Sequence, residues 1–343
     1  MTMGMTTDAP ITSETRPDLG RINAHAAFYA AVRCIEINPV TIDAPGEGEA
    51  LVRTLWSGLS RGTERLVFNG RVPPGEWERM RAPFQEGAFS FPVKYGYAAV
   101  GVVEEGAQDI VGKEVFCLFP HQDRFVAPLS ALRPLPAGLP ARRAVLAANM
   151  ETALNAVWDA GIGPGDRIAI VGGGVLGGLI AGICGAIPGT ECVLVDVAPQ
   201  RRALATRMNV TYASSLASGF GADAAFHTSA AEAGLATALD CLGPEGALVE
   251  LSWYGETAPA APLGGAFHSQ RLRLISSQVG QVAPSRRSRW DYARRLSKAL
   301  ELLCDDKYDA LITEEVPFEA LPVEAPRLLA DGAPGLATAI RYG

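Results

Sequence analysis

This sequence predicts an α/β chain of two domains, one β-rich and one built on a doubly wound parallel sheet. Three observations carry the prediction. From residue 21 to residue 135, short runs alternate apolar and polar residues between Pro and Gly turns. From Pro140 onward, strand-like and helix-like runs alternate. Within that second part, a three-glycine turn follows an apolar strand and opens an apolar helix. A length of 343 residues accommodates both domains.

Each element follows from local pattern. The opening "MTMGMTTDAPITSETRPDLG" has neither the cationic region nor the apolar run of a signal peptide, so residues 1–20 are expected to be a flexible polar arm. "EALVRTLWSG", "AAVGVVEEG", "KEVFCLF" and "RFVAPLS" are the strands of a partly barrel-like β-rich domain. "PARRAVLAANMETALNAVWDAG" reads as a helix with apolar or small residues at Val145, Ala148, Leu154 and Val157, stopped by Gly161. "RIAIV", "CVLVD", "ADAAFHTS", "GALVELSW" and "LRLISSQ" are short apolar strands with helical connections. "SRRSRWDYARRLSKALELL" is an amphipathic helix with a stripe of Trp290, Ala293, Leu296, Leu300 and Leu303, and Ser285 as its expected N-cap. The tail, with "ALITEEVPF" and "GLATAIRY", returns to the first domain. The expected boundaries are 21–145 with 285–343 for the β-rich domain and 146–284 for the other.

Bulk properties exclude several functions. A net charge of −7 argues against nucleic acid or an anionic membrane as partner. None of the six cysteines forms a C-x-x-C pair, and their spacing fits neither a disulfide framework nor a zinc knuckle. Reduced, buried thiols in a cytoplasmic protein are expected. "IAIVGGGVLGGLIAGICGAI" is an uncharged 20-mer, but glycines so near its start make it strand, turn and helix rather than a membrane span.

The glycine turn is the clearest motif. Gly172-Gly173-Gly174-Val175-Leu176-Gly177 fits G-x-G-x-x-G between a strand and a helix, and Asp196 ends the next strand about twenty residues on. Gly172 permits the tight turn, Gly174 lets the backbone approach a pyrophosphate, and Gly177 lets helix and strand pack closely. The N–H groups at Val175 and Leu176 would receive the anion. Asp196 can accept both ribose hydroxyls and would repel a 2′-phosphate, which favours NAD over NADP. Arg201 and Arg202, a turn further on, work against that preference.

With "GLSRGTE" upstream of this motif, the layout resembles the medium-chain dehydrogenase/reductase superfamily over nearly the whole chain from about residue 25. The resemblance implies a GroES-like β-rich catalytic domain joined to a Rossmann domain, and a nicotinamide cofactor. Zinc members carry Cys, His and a third Cys or Glu. At the matching positions stand Arg61, Tyr97 and Ala148, and Ala98 replaces the companion Glu. Only "PHQD" separates "VFCLF" from "RFVAP", where a structural-zinc lobe would lie. Both zinc sites are therefore expected to be absent, and a cationic Arg61 would repel a metal. Within the superfamily, "SGLSRGTE", "FPVKYGYAAVG" and "PHQDRFVAP" look most like the bacteriochlorophyllide a dehydrogenase group. That group oxidises a hydroxyethyl side chain on a large planar ring to acetyl with NAD.

The resemblance also implies roles. Thr63 would bond the reacting oxygen, and Glu64 would be the acid behind it, here paired with Arg61. Leu66 stands where relatives have a relay histidine. Tyr97 would transfer the proton, with Arg61 as the cation that lowers its pKa, and His121 is a second candidate acid or base. Thr152, Trp253, Gln278 and Val279 would touch the cofactor. A homodimer through "LRLISSQ" is expected by analogy. The expectation is thus a zinc-independent, NAD-linked secondary-alcohol dehydrogenase acting on a small molecule. The alternatives are an NADPH-type quinone or enoyl C=C reductase and a non-catalytic nucleotide-binding protein.

Overall fold

The computed structural model describes residues 20–343, so the expected N-terminal arm, apart from Gly20, lies outside the described residues. Strand Glu49–Leu59 is the hub of the β-rich domain. One of its edges pairs antiparallel with Ala99–Glu105; the other is shared by Arg124–Pro128 and Ala337–Arg341. The sheet continues through Glu114–Cys117 to Arg133–Pro134 on one side and to Ile312–Pro317 on the other. A second sheet contains Cys34–Asp43, Arg21–Ala31, Val93–Lys94 and Glu86–Gly87. Gly101 is needed in this packing, because a Cβ there would strike the carbonyl of Arg53 across the strand pair.

The other domain is a six-stranded parallel sheet in the order Thr211–Ala213, Glu191–Val195, Arg167–Val171, Ala222–His227, Leu242–Glu250, Arg273–Ser276. This order reverses between Arg167–Val171 and Ala222–His227, which places a ligand crevice outside the carboxyl ends of those strands. Helices cover both faces. Ile168, Ile170, Leu194 and Phe226 pack on helices Ala147–Ala160 and Val175–Cys184. Ala169, Val171, Val193 and Leu248 pack on helix Glu232–Asp240. The α/β fold class is as expected.

Two local expectations are corrected. The helix predicted from Pro140 is two pieces, Ala141–Ala144 and Ala147–Ala160, the second ended by Gly161 at φ +69°. The amphipathic helix spans Tyr292–Leu302, and its cap is Asp291, whose carboxylate accepts from the Arg294 N–H, not Ser285. Ser285 donates instead to the Trp158 carbonyl, and Trp158 packs against Trp290, which holds residues 285–290 outside the helix. Leu296, Leu300, Leu303, Tyr308 and Leu311 lie in one buried cluster that joins Ile168 and Phe226 of the parallel-sheet domain to Val100 and Phe116 of the β-rich one, and the chain rejoins the β-rich sheet at Ile312. Among the described residues, no helix is long and apolar enough to cross a membrane.

Candidate functional site

The glycine turn sits where strand Arg167–Val171 hands over to helix Val175–Cys184. Gly172 has φ +112°, in the region that favours glycine. A Cβ on Gly177 would strike the Gly172 carbonyl, so helix and turn are in backbone contact there. Gly174 has no atom within 4 Å of where its Cβ would stand, and Gly174, Val175 and Leu176 remain half-exposed. The first helical N–H groups are therefore open to the crevice, as an anion cradle needs. Asp196 closes the turn: one carboxylate oxygen accepts from Gly173 N at 2.6 Å and the other from Ala198 N at 2.8 Å. These residues fit a dinucleotide.

Gln278 and Val279 follow the last parallel strand, and Thr152 lies on helix Ala147–Ala160. The Thr152 hydroxyl donates to the Ala148 carbonyl, and the Gln278 amide oxygen accepts from Gly280 N. A side chain missed in the sequence holds this segment. Arg295, 1% exposed, bonds Glu151 Oε1 at 2.9 Å, Asn155 Oδ1 at 2.6 Å, and the Val279 and Gln281 carbonyls. Burial raises the Glu151 carboxyl despite the guanidinium beside it.

In the β-rich domain, strand Glu49–Leu59 delivers the turn Ser60–Gly62 into helix Thr63–Phe68. Glu64 points inward and is fully buried. It accepts from Ser60 N at 2.7 Å and from the Tyr29 hydroxyl at 2.6 Å, and His121 Nε2 lies 2.9 Å away. His121, also fully buried, places Nδ1 2.8 Å from Ser57 Oγ, which touches the Tyr342 hydroxyl at 3.0 Å. Gly96 makes room for this imidazole, since its Cβ would lie 2.9 Å from His121 Cδ2. A buried polar group of this kind persists because its members are hydrogen-bonded to one another. Tyr29, Ser57 and Tyr342 carry no motif, and nothing in the sequence points to them.

Tyr97 is half-buried, edge-on to Tyr95 with ring centroids 6.0 Å apart. The nearby Ser60 and Thr63 hydroxyls favour its phenolate, but burial and the Glu64 carboxylate outweigh them and push the phenol up to about 12. Tyr97, Thr63 and Ser60 thus form one cluster of hydroxyls in front of the buried Glu64–His121 pair.

Arg61 does not play the part expected of it. Its guanidinium donates to the carbonyls of Ala333, Pro334 and Leu336, not to Glu64. Nor does it act on Tyr97, whose pKa is raised rather than lowered. The reason is steric and local: Glu64 turns into the core, where its lone pairs are taken, and Arg61 turns out towards loop 333–336. Arg201 meets the same loop through the Gly335 carbonyl at 3.1 Å, with its stem against Gly173. Arg202 lies over the Tyr212 ring at 4.7 Å. Trp253 leaves the carboxyl end of strand Leu242–Glu250 and packs, half-buried, on the β-rich domain in a group that includes Leu66 and Tyr97. Among the described residues, no group of three or more His, Cys, Asp or Glu side chains is placed to hold a metal ion.

No family model matches the chain. It is similar in sequence to the 2-desacetyl-2-hydroxyethyl bacteriochlorophyllide A dehydrogenase of Cereibacter sphaeroides, with 28% identity over 197 residues, 52% of this chain and 58% of that protein. The match spans less than two thirds of that relative. Among solved structures, it is similar to L-idonate 5-dehydrogenase of Escherichia coli K-12 MG1655, with a TM-score of 0.76 and 17% identity over 94% of this chain and 99% of the other. It is also similar to a short chain alcohol dehydrogenase of Escherichia coli CFT073 complexed with NADH, with a TM-score of 0.73 and 14% identity over 93% and 99% of the two chains.

Proposed function

We propose, for a chain that has the medium-chain dehydrogenase/reductase fold and resembles the bacteriochlorophyllide dehydrogenase group, a zinc-independent oxidoreductase. It interconverts a secondary alcohol and a ketone, with NAD in preference to NADP, and its substrate is a hydroxyethyl or acetyl side chain on a large planar ring. The observation that carries this reading is the hydroxyl cluster of Tyr97, Thr63 and Ser60, backed by Glu64 and His121, with Tyr97 at a position matched to a zinc ligand of relatives. Arg61, Tyr97 and Ala148 supply no metal-donor set, and a guanidinium repels a cation.

The nicotinamide, when bound, supplies the hydride acceptor or donor. Gly172–Gly177 receive its pyrophosphate, Asp196 its ribose, and Thr152, Trp253, Gln278 and Val279 its reactive half. Thr63 bonds the reacting oxygen of the substrate, and Tyr97 holds or takes the proton at that oxygen. Glu64 bonds the Ser60 N–H and is held in turn by His121 behind the phenol. Leu66 and Trp253 present apolar surface that excludes water. The edge strand Arg273–Ser276 has no partner on its outer side among the described residues and carries the expected homodimer contact.

One observation favours a second reading. A phenol near 12 is a better proton donor than base at neutral pH, which suits reduction, including the C=C reduction of an enone. Turnover of a hydroxyethyl bacteriochlorophyllide with NAD and with NADP separates the two. Formation of the conjugated acetyl, seen as a shift in ring absorption, supports the alcohol reading. Turnover of enones with NADPH and none of the alcohol supports the other. NADH binding with no turnover of either class refutes both.

A further inference from the structure

Outside the hydroxyl cluster, the parallel-sheet domain buries a second polar group. His227 is fully buried at the carboxyl end of its strand, in register with Glu250 on the next. Its Nδ1 lies 2.7 Å from Glu250 Oε2 and its Nε2 2.7 Å from Ser229 Oγ. The other Glu250 oxygen accepts from Ser252 N at 2.7 Å, and the Tyr254 hydroxyl lies 3.3 Å from both His227 Nδ1 and Glu250 Oε2. Leu251 N bonds the His227 carbonyl, and Ala230 N bonds Ser252 Oγ. An imidazole with a carboxylate is costly to bury, and an apolar pair would fill the same space more cheaply. What the pair does here is stitch segment Leu251–Gly255 to the neighbouring strand end.

That segment reaches the other domain. Trp253 packs on the β-rich core that Leu66 and Tyr97 also flank, and Gly255, at φ +63°, passes so close that a Cβ would lie 2.7 Å from the Arg71 carbonyl and 3.1 Å from Leu66. We infer that His227 is a positioning residue: with Glu250 and Tyr254 it clamps Leu251–Gly255, and so holds Trp253 as an aromatic wall against the β-rich domain. The inference rests on the function proposed above only for what the wall is used for. An indole held in place suits a planar, conjugated substrate.

The Ser229–His227–Glu250 distances also match those of a nucleophilic triad. The surroundings favour the clamp. Ser229 Oγ accepts from Ala231 N at 3.3 Å and rests against Gly234, where even a Cβ would collide with it, so it is taken up by the turn that leads into helix Glu232–Asp240.

The test reads Trp253 directly and needs no substrate. Emission of Trp253 is taken as the difference between the protein and its Trp253→Phe variant, each in the wild-type, His227→Leu, Glu250→Gln and Tyr254→Phe backgrounds. The clamp predicts a red-shifted, more exposed Trp253 in all three backgrounds. Tyr254→Phe removes one hydroxyl and keeps the readout if the larger changes fail to fold. With a planar alcohol substrate, KM rises about tenfold while kcat falls less than about threefold, and a small secondary alcohol is unaffected. Unchanged Trp253 emission in all backgrounds overturns the clamp. So does labelling of Ser229 by a fluorophosphonate, which would make it a nucleophile. Absence of alcohol turnover alongside a red-shifted Trp253 counts against the proposed function and leaves the clamp standing.

Discussion

Replacing Arg295 by Met should be among the most damaging single changes in the parallel-sheet domain. The guanidinium is 1% exposed and serves four acceptors: Glu151, Asn155 and the carbonyls of Val279 and Gln281. Met fills part of the volume and returns none of the hydrogen bonds. Removing one partner of a buried ion pair costs about 3–5 kcal/mol, because the other charge is left uncompensated. With a urea slope of about 3 kcal/mol/M, the midpoint should fall by about 1–2 M. The sign with pH follows from Glu151. Burial raises its carboxyl above the unfolded value, and Arg295 opposes that rise. Without Arg295 the folded value climbs further, so the variant recovers stability as pH falls towards the unfolded value and loses it as pH rises through the folded one. Adding Glu151→Met should restore at least half of the loss, since an apolar pair replaces a buried ionic one at little cost. The same variant frees the Val279 segment, and NADH affinity should fall about tenfold, equivalent to about 1.4 kcal/mol. A midpoint shift below about 0.3 M, or a double variant no more stable than the single one, would refute the reasoning.

Three further outcomes follow from the geometry. With the Tyr97 phenol near 12, ketone reduction should be flat across the neutral range, and alcohol oxidation should rise about tenfold per pH unit with no plateau near neutrality; a pH–rate profile in both directions checks this. Gly177→Ala forces a Cβ onto the Gly172 carbonyl, so NADH binding measured by fluorescence should weaken by more than about tenfold while the β-rich domain keeps its stability. Tyr29, Tyr95, Tyr97 and Tyr342 are all held above their ordinary value by burial. Their folded values exceed the unfolded one, so the stability they contribute is complete below about pH 10 and is lost as pH rises beyond it. Phenolate absorbance should therefore appear together with loss of tertiary circular dichroism, not before it.

The parallel-sheet domain was legible because its signals are local. A strand, a glycine turn, a helix and an acid at the next strand end lie within one short stretch, and each is dictated by neighbours in the chain. The turn Ser60–Glu64 is a candidate site through resemblance, but its wiring is not legible in the sequence. Glu64 and His121 are 57 residues apart, and Ser57 meets Tyr342 across 285 residues. Such contacts are made by sheet pairing, which brings the last strand beside Glu49–Leu59. Arg61 and Glu64 are close in sequence and opposite in charge, so pairing them was natural; the inward turn of Glu64 towards Tyr29 separated them. His227 ends an apolar strand and carries no spacing signal at all. The cap at Asp291 was missed because Ser285 is an equally good capping type, and only the Trp158–Trp290 contact decides which residue starts the helix.

The central claim is proton transfer by Tyr97 without a metal. Its most direct measurement is turnover of the hydroxyethyl or acetyl substrate by metal-analysed, chelator-treated protein, wild type against Tyr97→Phe, with NADH affinity measured alongside. The account predicts full activity after chelation, and in Tyr97→Phe a kcat lower by about 10²–10⁴ with NADH binding unchanged. Activity that disappears with the chelator and returns with zinc, or a Tyr97→Phe variant as fast as wild type, would contradict it.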